Sequence, residues 1–250
     1  MRKLFFSLLL IILIVVGIIW WRMPLIGSER SKQTIYVGLL DAWYGSSTDE
    51  MAHAMWIDDD STEEVFEVKA IADSVGIKPV FAVIADRMEP AVADSIASWQ
   101  QQGAGVVLHG LRHERWKDWK EEQIENDIRQ SIQRLHEQGF DTAKILKMVI
   151  PPHGCNTKSI RKVIAQRGSQ MISGASLVNP DRHVFQLGRI NITPETDIEA
   201  IREMLIEAYD RKAFVIFGTH SSLPKSFSKE KTTRILEIAK EIGFSFDFQK

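Results

Sequence analysis

The chain has 250 residues, enough for one large domain with a short appendage. Its hydrophobic content of 44% is that of an ordinary globular protein, and its net charge of −2, with no basic block after the N-terminus, argues against a nucleic-acid partner. Cys155 is the single cysteine, so an intrachain disulfide is excluded, although an exported domain does not need one.

The first 23 residues have the pattern of a membrane anchor. Arg2 and Lys3 precede the apolar stretch Leu4–Trp21, which as a helix would span roughly 27 Å, close to the thickness of the hydrocarbon core. Two tryptophans end the stretch, where a membrane–water interface is expected. This predicts an uncleaved signal anchor over residues 1–23, with the remaining chain extracytoplasmic, in the periplasm or at the cell surface. Cleavage after Gly27 and secretion is the alternative, and N-terminal sequencing of the mature protein separates the two.

A polar linker over residues 24–33 leads to residues 34–250, in which strands alternate with helices. Strands are predicted at Thr34–Leu40, Ala54–Ile57, Pro79–Ile84, Gly105–Leu108, Ile145–Ile150, Met171–Ile172, Ala213–Phe217 and Phe244–Phe248, with an extended segment at Val184–Ile192. Helices are predicted over Glu63–Val75, Pro90–Gln102, Glu121–Gln138, Thr157–Gln166, Asp197–Tyr209 and Lys229–Ile242. This alternation predicts an α/β barrel of parallel strands, with its chemistry at the C-terminal ends of the strands.

Three consecutive acids, Asp58, Asp59 and Asp60, follow the strand Ala54–Ile57. Adjacent carboxylates repel one another unless a positive group lies among them. One interpretation is a solvated turn that caps the next helix, with Asp60 or Ser61 as the N-cap residue. Capping accounts for one or two of the acids, which leaves a functional site as the other interpretation.

Histidines follow two further strands. His109 and His113 are four residues apart after Gly105–Leu108, and His220 follows Ala213–Phe217. If residues 110–113 form a helical turn, both imidazoles share one face, and with one carboxylate they make a metal site that keeps positions open for water and substrate. Such a pair is usually incidental, but three motifs at strand ends together favour a site.

Four motifs, taken in order, resemble those of the polysaccharide deacetylase family (NodB homology, carbohydrate esterase family 4) over about residues 34–250. The family motif T-F-D-D-G corresponds to Trp56–Asp60, H-S/T-x-x-H to His109–His113, R-P-P-Y-G to Ile150–Gly154, and the late L-x-H to Gly218–His220. The resemblance implies a deformed (β/α)7-type, NodB-like barrel as the catalytic domain, preceded by the predicted anchor.

The resemblance implies a metal-dependent hydrolase that removes N-acetyl groups from an envelope or extracellular polysaccharide, by cleaving a carbon–nitrogen bond that is not a peptide bond. Asp59, His109 and His113 would hold a divalent metal, usually Zn²⁺, with Co²⁺, Ni²⁺ or Mn²⁺ as alternatives. Asp58 would be the base that takes a proton from metal-bound water, and His220 the acid that protonates the leaving amine. The implied partners are an acetylated polysaccharide and, through the anchor, the membrane.

The loop that would face the substrate consists of Pro151, Pro152, His153 and Gly154. In the family pattern its backbone N–H at the position of His153 helps to stabilise the oxyanion. His153 replaces the family tyrosine, so it would serve as a pocket wall, a proton donor or an extra ligand. For the fourth family motif, Asp181 is the nearest candidate, and a turn aspartate after Asn179-Pro180 is the favoured interpretation.

Three other positions depart from the family pattern. Asp60 replaces the glycine after the two acids, so the base and ligand are either the first two acids of the triplet or the last two. Gly110 replaces the serine or threonine after the first histidine. Ile150 replaces the arginine that orients the base; Arg189 is the candidate substitute, and a plain surface arginine is the alternative.

Two other functions stay open. The altered loop residues Ile150 and His153 are compatible with an amidohydrolase that acts on a non-glycan amide. Loss of the arginine and of the fourth motif is compatible with a catalytically inactive barrel that binds glycan. Trp116 and Trp119, close to His113 in sequence, would form a sugar-stacking wall, a lid or part of the core.

Overall fold

The computed structural model describes residues 49–247, in which parallel strands alternate with helices. The strands are β1 (His53–Asp58), β2 (Val80–Val83), β3 (Gly105–Leu108), β4 (Met148–Val149), β5 (Gln170–Ile172), β6 (Gln186–Leu187), β7 (Ile190–Asn191) and β8 (Phe214–Thr219). The helices are α1 (Val65–Val75), α2 (Pro90–Gln101), α3 (Glu121–Glu137), α4 (Lys158–Gln166), α5 (Ile198–Asp210) and α6 (Lys229–Ile242). Short 3₁₀ turns lie at Trp116–Asp118, Thr142–Lys144 and Pro152–Gly154.

The eight strands form one parallel sheet in the order β6-β5-β4-β3-β2-β1-β8-β7. Gly188 and Arg189 alone separate the two edge strands in sequence. The three Cα steps from the end of β6 to the start of β7 cover at most about 11 Å, so the sheet must curl until its two edges meet. This curled parallel sheet confirms the predicted class of α/β barrel. The edge strands β6 and β7 are two parts of one extended segment, which is interrupted at Gly188 and Arg189.

Asn179 supports the backbone where the two edges meet. Its side chain is fully buried; Nδ2 donates to the carbonyl of Gly188 at 2.9 Å, and Oδ1 accepts from the N–H of Gly188 at 2.7 Å. Its backbone exchanges two hydrogen bonds with Phe214 in β8. A Cβ at position 188 would lie 2.4 Å from the side chain of Leu177, so this crossing point requires glycine. One asparagine thus satisfies the polar groups that the strand break leaves inside the protein.

Strand side chains alternate between the barrel interior and the layer under the helices, as the pleat requires. The interior cluster contains Met55, Ile57, Val80, Ala82, Val107, Ile150, Ile172, Leu187, Phe214 and Ile216. Intervening residues such as Trp56, Phe81 and Val106 belong to the larger cluster with the apolar faces of the helices. The parity of a residue within its strand therefore decides on which side of the sheet its side chain lies.

The helices predicted from residue 63 onward are present, with bounds within two residues of those expected. The side chains of Thr157, Asp197 and Ser228 cap α4, α5 and α6. The predicted cap of α1 by Asp60 or Ser61 is wrong, because α1 begins at Val65 after an N-cap residue, Glu64, whose side chain makes no capping bond. Ser61 instead bonds the end of β2, accepting from the N–H of Ile84 at 3.0 Å.

Several strand predictions need correction. The segment Ile145–Ile150 forms a strand over Met148–Val149 alone, after the 3₁₀ turn Thr142–Lys144. The predicted last strand is reduced, within the described residues, to one parallel bridge between Ser245 and His53. The predicted anchor over residues 1–23, the linker over 24–33 and the strand Thr34–Leu40 lie outside the described residues. From residue 49 to residue 247, no helix has the length and apolar character needed to cross a membrane.

Replacing Asn179 with alanine is expected to weaken the closure of the sheet. The substitution removes the buried partners of both Gly188 backbone groups, and each unsatisfied group costs about 1–3 kcal/mol. We therefore expect the free energy of unfolding, measured by urea denaturation, to fall by roughly 2–5 kcal/mol. Asn156→Ala is the control, since Asn156 is exposed and should change stability by less than about 0.5 kcal/mol. Equal stabilities of the two variants would contradict the role of Asn179.

Candidate active site

Four polar side chains follow the strands at the C-terminal end of the barrel, which we call the mouth. They continue the alternation by which every second residue of a strand faces the barrel interior. They are Asp59 after β1, His109 after β3, Arg189 between β6 and β7, and His220 after β8. Each lies two residues beyond an inward position: Ile57, Val107, Leu187 and Gly218 respectively. Because the pleat has a period of two, these four side chains lie on the same side of the sheet and meet over its interior.

Asp59 lies at the centre of this group. Its carboxylate accepts a hydrogen bond from Nη1 of Arg189, and Nε2 of His220 lies 3.3 Å from its Oδ2. Asp59 and Arg189 are buried, with 2% and 7% of their surfaces exposed. Burial by itself would raise the pKa of Asp59, but the Arg189 guanidinium and the hydrogen bond from His220 outweigh it and hold this pKa below its usual range. The hydrogen bond to Asp59 in turn raises the pKa of His220.

A row of three histidines lies beside this group. Nδ1 of the buried His109 lies 2.8 Å from the carbonyl oxygen of Ile150. Since a carbonyl only accepts, that nitrogen carries the proton and Nε2 keeps its lone pair. The ring of His113 lies 4.6 Å from that of His109 and 4.4 Å from that of His153. Burial lowers the pKa of His109; burial and the two neighbouring histidines lower that of His113 to about 4. Both rings are therefore neutral at pH 7, as metal binding requires.

The turn that carries His109 and His113 is not helical, so the expected helical turn is wrong. Residues 109–113 form a bend in which Gly110 has a φ of 83° and His113 a φ of 60°. Asp127 of α3 accepts a hydrogen bond from the N–H of Leu111 at 3.0 Å. His153 lies on the other side, with its Nε2 3.0 Å from the carbonyl oxygen of His113. The bend brings the two imidazoles together because groups outside it hold its backbone.

Gly110 is required by the close approach of the substrate-facing loop. A Cβ at this position would lie 2.9 Å from Cγ of Pro152, in addition to the strain of its positive φ. The serine or threonine of the family pattern therefore does not fit here. The loop itself turns at Pro152–Gly154, where the exposed His153 also has a positive φ, of 57°. Backbone strain in two facing histidines is the kind that occurs at functional sites.

Asp58, the predicted base, lies outside the inward-facing register. It is fully buried and accepts hydrogen bonds from Thr219 Oγ1 at 2.7 Å, Ser221 N at 3.2 Å and Ser221 Oγ at 2.8 Å. Burial, opposed by the bonds from Thr219 and Ser221, raises the pKa of Asp58 to about 7. Because Thr219 and Ser221 flank His220, Asp58 fixes the backbone on both sides of that histidine. The third acid, Asp60, accepts from the N–H of Ser222 at 3.0 Å in the same loop.

Sequence reasoning missed the supporting residues Asp127, Thr219 and Ser221. Asp127 had a signal, since it lies within the apolar stripe of α3 formed by Ile124, Ile128, Ile132 and Leu135, where an acid must be buried. For Thr219 and Ser221 the signal in the sequence was weaker: a hydroxyl residue stands on each side of His220. Local hydrogen-bond partners of this kind become visible only when distant segments are brought together.

The predicted ligand set fits a divalent metal in its chemistry. Asp59 is an ionised carboxylate, His109 and His113 are neutral imidazoles, and His109 has its second nitrogen held by a carbonyl, the usual support of a metal-bound histidine. The donor atoms of these three residues do not form one compact group. Between residues 49 and 247, the group of three with donor atoms within 4.8 Å of one another is Asp49, Asp181 and His183.

The group of Asp49, Asp181 and His183 differs from the predicted ligand set in its ion pairs and hydrogen bonds. Asp49 is ion-paired with Arg182 at 3.1 Å, which supplies a protein cation to this cluster. Asp181 accepts from the N–H of His183 at 2.7 Å, the bond of a local turn. This contact supports the interpretation of Asp181 as a turn aspartate.

Comparison with known proteins gives a family match and a shared fold. The family model described as "Polysaccharide deacetylase" matches residues 45–172, a segment that contains the acid triplet, the bend from His109 to His113 and the Pro-Pro loop. No curated protein matches the chain.

Solved structures with the same fold include a chitin deacetylase, a family 4 acetyl xylan esterase and a family 4 pseudoenzyme. The chitin deacetylase of the fungal pathogen Colletotrichum lindemuthianum is 14% identical, over 80% of this chain and 88% of that one, with a TM-score of 0.58. A family 4 acetyl xylan esterase from Clostridium thermocellum, in complex with a cobalt ion, is 16% identical over 76% and 85%, with a TM-score of 0.57. A family 4 pseudoenzyme from Bacillus anthracis is 12% identical over 78% and 63%, with a TM-score of 0.55. At these identities the likeness shows the fold.

Replacing Gly110 with alanine is expected to cost more stability than replacing Gly139. Both glycines have a φ near 84°, but a Cβ at 139 would have no atom within 4 Å. Gly139→Ala should therefore show the backbone strain alone, about 1–2 kcal/mol. Gly110→Ala adds the clash with Pro152, and we expect a further loss of roughly 1–3 kcal/mol in the free energy of unfolding by urea denaturation. Equal losses would show that Pro152 does not restrict position 110.

Proposed function

The chain belongs to the polysaccharide deacetylase family, and on this premise we propose that it is a metal-dependent hydrolase that removes N-acetyl groups from an envelope or extracellular polysaccharide. The observation that carries the proposal is the meeting of an ionised acid, Asp59, with His220 and the neutral pair His109 and His113 at the mouth. An acid, a proton donor and imidazole ligands are the groups that metal-assisted amide hydrolysis requires.

Asp59, His109 and His113 are the residues proposed to hold the metal, with Zn²⁺ or Co²⁺ as the first candidates. The cobalt ion in the acetyl xylan esterase of the same fold supports a divalent ion of this kind. When bound, such an ion lowers the pKa of a coordinated water and polarises the acyl oxygen of the substrate. The charge of Asp59 acts on both histidines, which supports its inclusion in the set.

The remaining groups of the mouth orient the substrate and move protons. Arg189 holds the carboxylate of Asp59 and so positions the proposed metal ligand, whereas the family arginine before Pro-Pro orients the base. His220 has a raised pKa and a partly exposed side chain, and it is the proposed donor of a proton to the leaving amine nitrogen. The exposed His153 borders the same space and is proposed to contact the acyl group.

We further propose that the working acids are Asp59 and Asp60, the last two of the triplet, with their roles reversed from the shifted register, which would make Asp59 the base and Asp60 the ligand. Asp58 points to the helix layer, and three hydrogen bonds occupy its two oxygens. Asp60 is partly exposed and its charge acts on His220, so it is the proposed base, with Asp59 as the ligand. Asp58 then acts as a positioning residue that holds the loop of His220.

A catalytically inactive glycan-binding barrel is the second candidate function. The family 4 pseudoenzyme among the proteins of the same fold favours it, as does the loss of the family arginine at Ile150. Binding of glycan without metal and without release of acetate would support this alternative. Metal-dependent turnover would exclude it.

Metal content tests the proposed ligand set without knowledge of the substrate. After removal of metals and reloading with zinc or cobalt, plasma mass spectrometry should find about one ion per wild-type chain and a clear loss in His109→Ala. His136→Ala is the matched control, because His136 is exposed on α3 and should leave the metal content unchanged. An ion retained in His109→Ala but lost in His183→Ala would move the metal to the cluster of Asp49 and Asp181.

Acetate release from acetylated glycans tests the assignment of the acids. Asp59→Asn and Asp60→Asn should lower kcat by about 10²–10⁴, the usual contribution of a group that takes part in the chemistry. Asp58→Asn should retain activity within about tenfold of wild type, because an asparagine can keep the bonds from Thr219 and Ser221 N while Ser221 Oγ accepts from its amide. Loss of activity in Asp58→Asn, with its fold and metal content intact, would restore Asp58 as the base.

A further inference from the structure

A recess lies beside the proposed site, on the side of His113. It has a volume of about 230 Å³, and its lining includes Arg112, Glu114, Trp119, Gln123, Asn126 and Gln130. Arg112 and Glu114 are the two neighbours of His113 in sequence, so the recess begins one residue away from a proposed metal ligand. We call this recess the Trp119 cleft.

The aromatic wall of the Trp119 cleft is supported from the core. Trp116 is fully buried, so its interpretation as a core residue is confirmed. Trp119 is partly buried, and its ring stacks on that of Trp116 with centroids 6.4 Å apart and an angle of 26° between the planes. One side of the Trp119 indole is thus packed on a rigid partner. Such an indole offers a pre-oriented apolar surface at small cost in side-chain entropy.

Three neutral amides line the cleft along α3. Gln123, Asn126 and Gln130 are spaced three and four residues apart, which puts them on one face of the helix. The carbonyl oxygen of Gln123 accepts from the N–H of Lys120 at 2.9 Å, and that of Asn126 from Arg129 at 2.6 Å. These bonds use the acceptor ends of Gln123 and Asn126, so their NH₂ groups remain as donors for a ligand.

The cleft has no excess of positive charge. Its cation, Arg112, donates to Asp86 at 2.9 Å, and the other two charged residues of the lining, Glu114 and Asp127, are acids. An indole wall with amide donors and no excess of positive charge does not suit a phosphate or a nucleic acid, which require uncompensated cations. It does suit a neutral sugar ring, whose C–H face packs on an aromatic plane while its hydroxyl groups accept and donate hydrogen bonds.

We propose that the Trp119 cleft binds a sugar residue of the polysaccharide adjacent to the one that is deacetylated. The inference rests on the proposed function, since it takes a glycan as the substrate. It adds a binding subsite on the His113 side of the mouth, formed by Trp119 and the amide face of α3. By binding this neighbouring sugar, the cleft fixes the position of the polysaccharide through a contact remote from the bond that is cleaved.

Equilibrium binding tests this subsite independently of catalysis. The probes are tetramers of β-1,4-linked N-acetylglucosamine and of acetylated xylose, titrated calorimetrically into the full-length, metal-free protein. Wild type should bind at least one of them, and Trp119→Ala should raise its dissociation constant roughly three- to tenfold, the range of one aromatic contact. Gln130→Ala, a change at an exposed position that the fold tolerates, should also weaken binding. Gln133→Ala is the matched control, an exposed glutamine of the same helix outside the cleft, and should bind like wild type.

The outcomes separate the subsite from the activity. Weakened binding in Trp119→Ala and Gln130→Ala supports the subsite, even if wild type releases no acetate and the proposed hydrolase activity fails. Unchanged binding in both variants overturns the subsite, even if deacetylation is confirmed. Failure of the wild type to bind either tetramer overturns it as well.

Discussion

The buried ion pair between Asp59 and Arg189 is the interaction on which the mouth of the barrel depends. Neither charge is stable in this position alone, since an unpaired buried ion costs several kcal/mol. Arg189 lies where the edges of the sheet meet, so the pair forms only when the sheet has closed. Closure therefore keeps Asp59 ionised, and the ionised Asp59 in turn raises the pKa of His220. Strand topology and the charge state of the site are thus coupled.

Strand parity divides the acid triplet between two tasks. Asp59 extends the inward register of β1, whereas Asp58 points to the helix layer and binds Thr219 and Ser221. A shift of one residue would exchange these roles, because successive side chains of a strand lie on opposite faces. The same parity brings His109 and His220 to the mouth. The triplet thus contains both an acid that faces the mouth and an acid that supports the loop of His220.

The bend with the two histidines depends on partners from outside its own segment. Asp127 of α3 holds its backbone from one side, and the Pro-Pro loop contacts it from the other through Pro152 and His153. Helix α3 thereby supports a proposed metal ligand with one face and lines the Trp119 cleft with neighbouring residues. This shared support places the proposed glycan subsite close to the proposed metal site. The close approach of Pro152 explains why Gly110 departs from the family pattern.

The sequence by itself determined the helices, the parallel barrel and the family, because periodicity, capping residues and strand-end motifs are local and lie in a definite order. It also brought out His109, His113 and His220 and left Arg189 as a candidate. Only the tertiary structure decided that the bend of residues 109–113 is not helical, that Asp58 faces away from the mouth, and that Arg189 binds Asp59. The last contact joins residues 130 positions apart. Contacts of this range depend on how the sheet closes, and no local pattern in the chain records that closure.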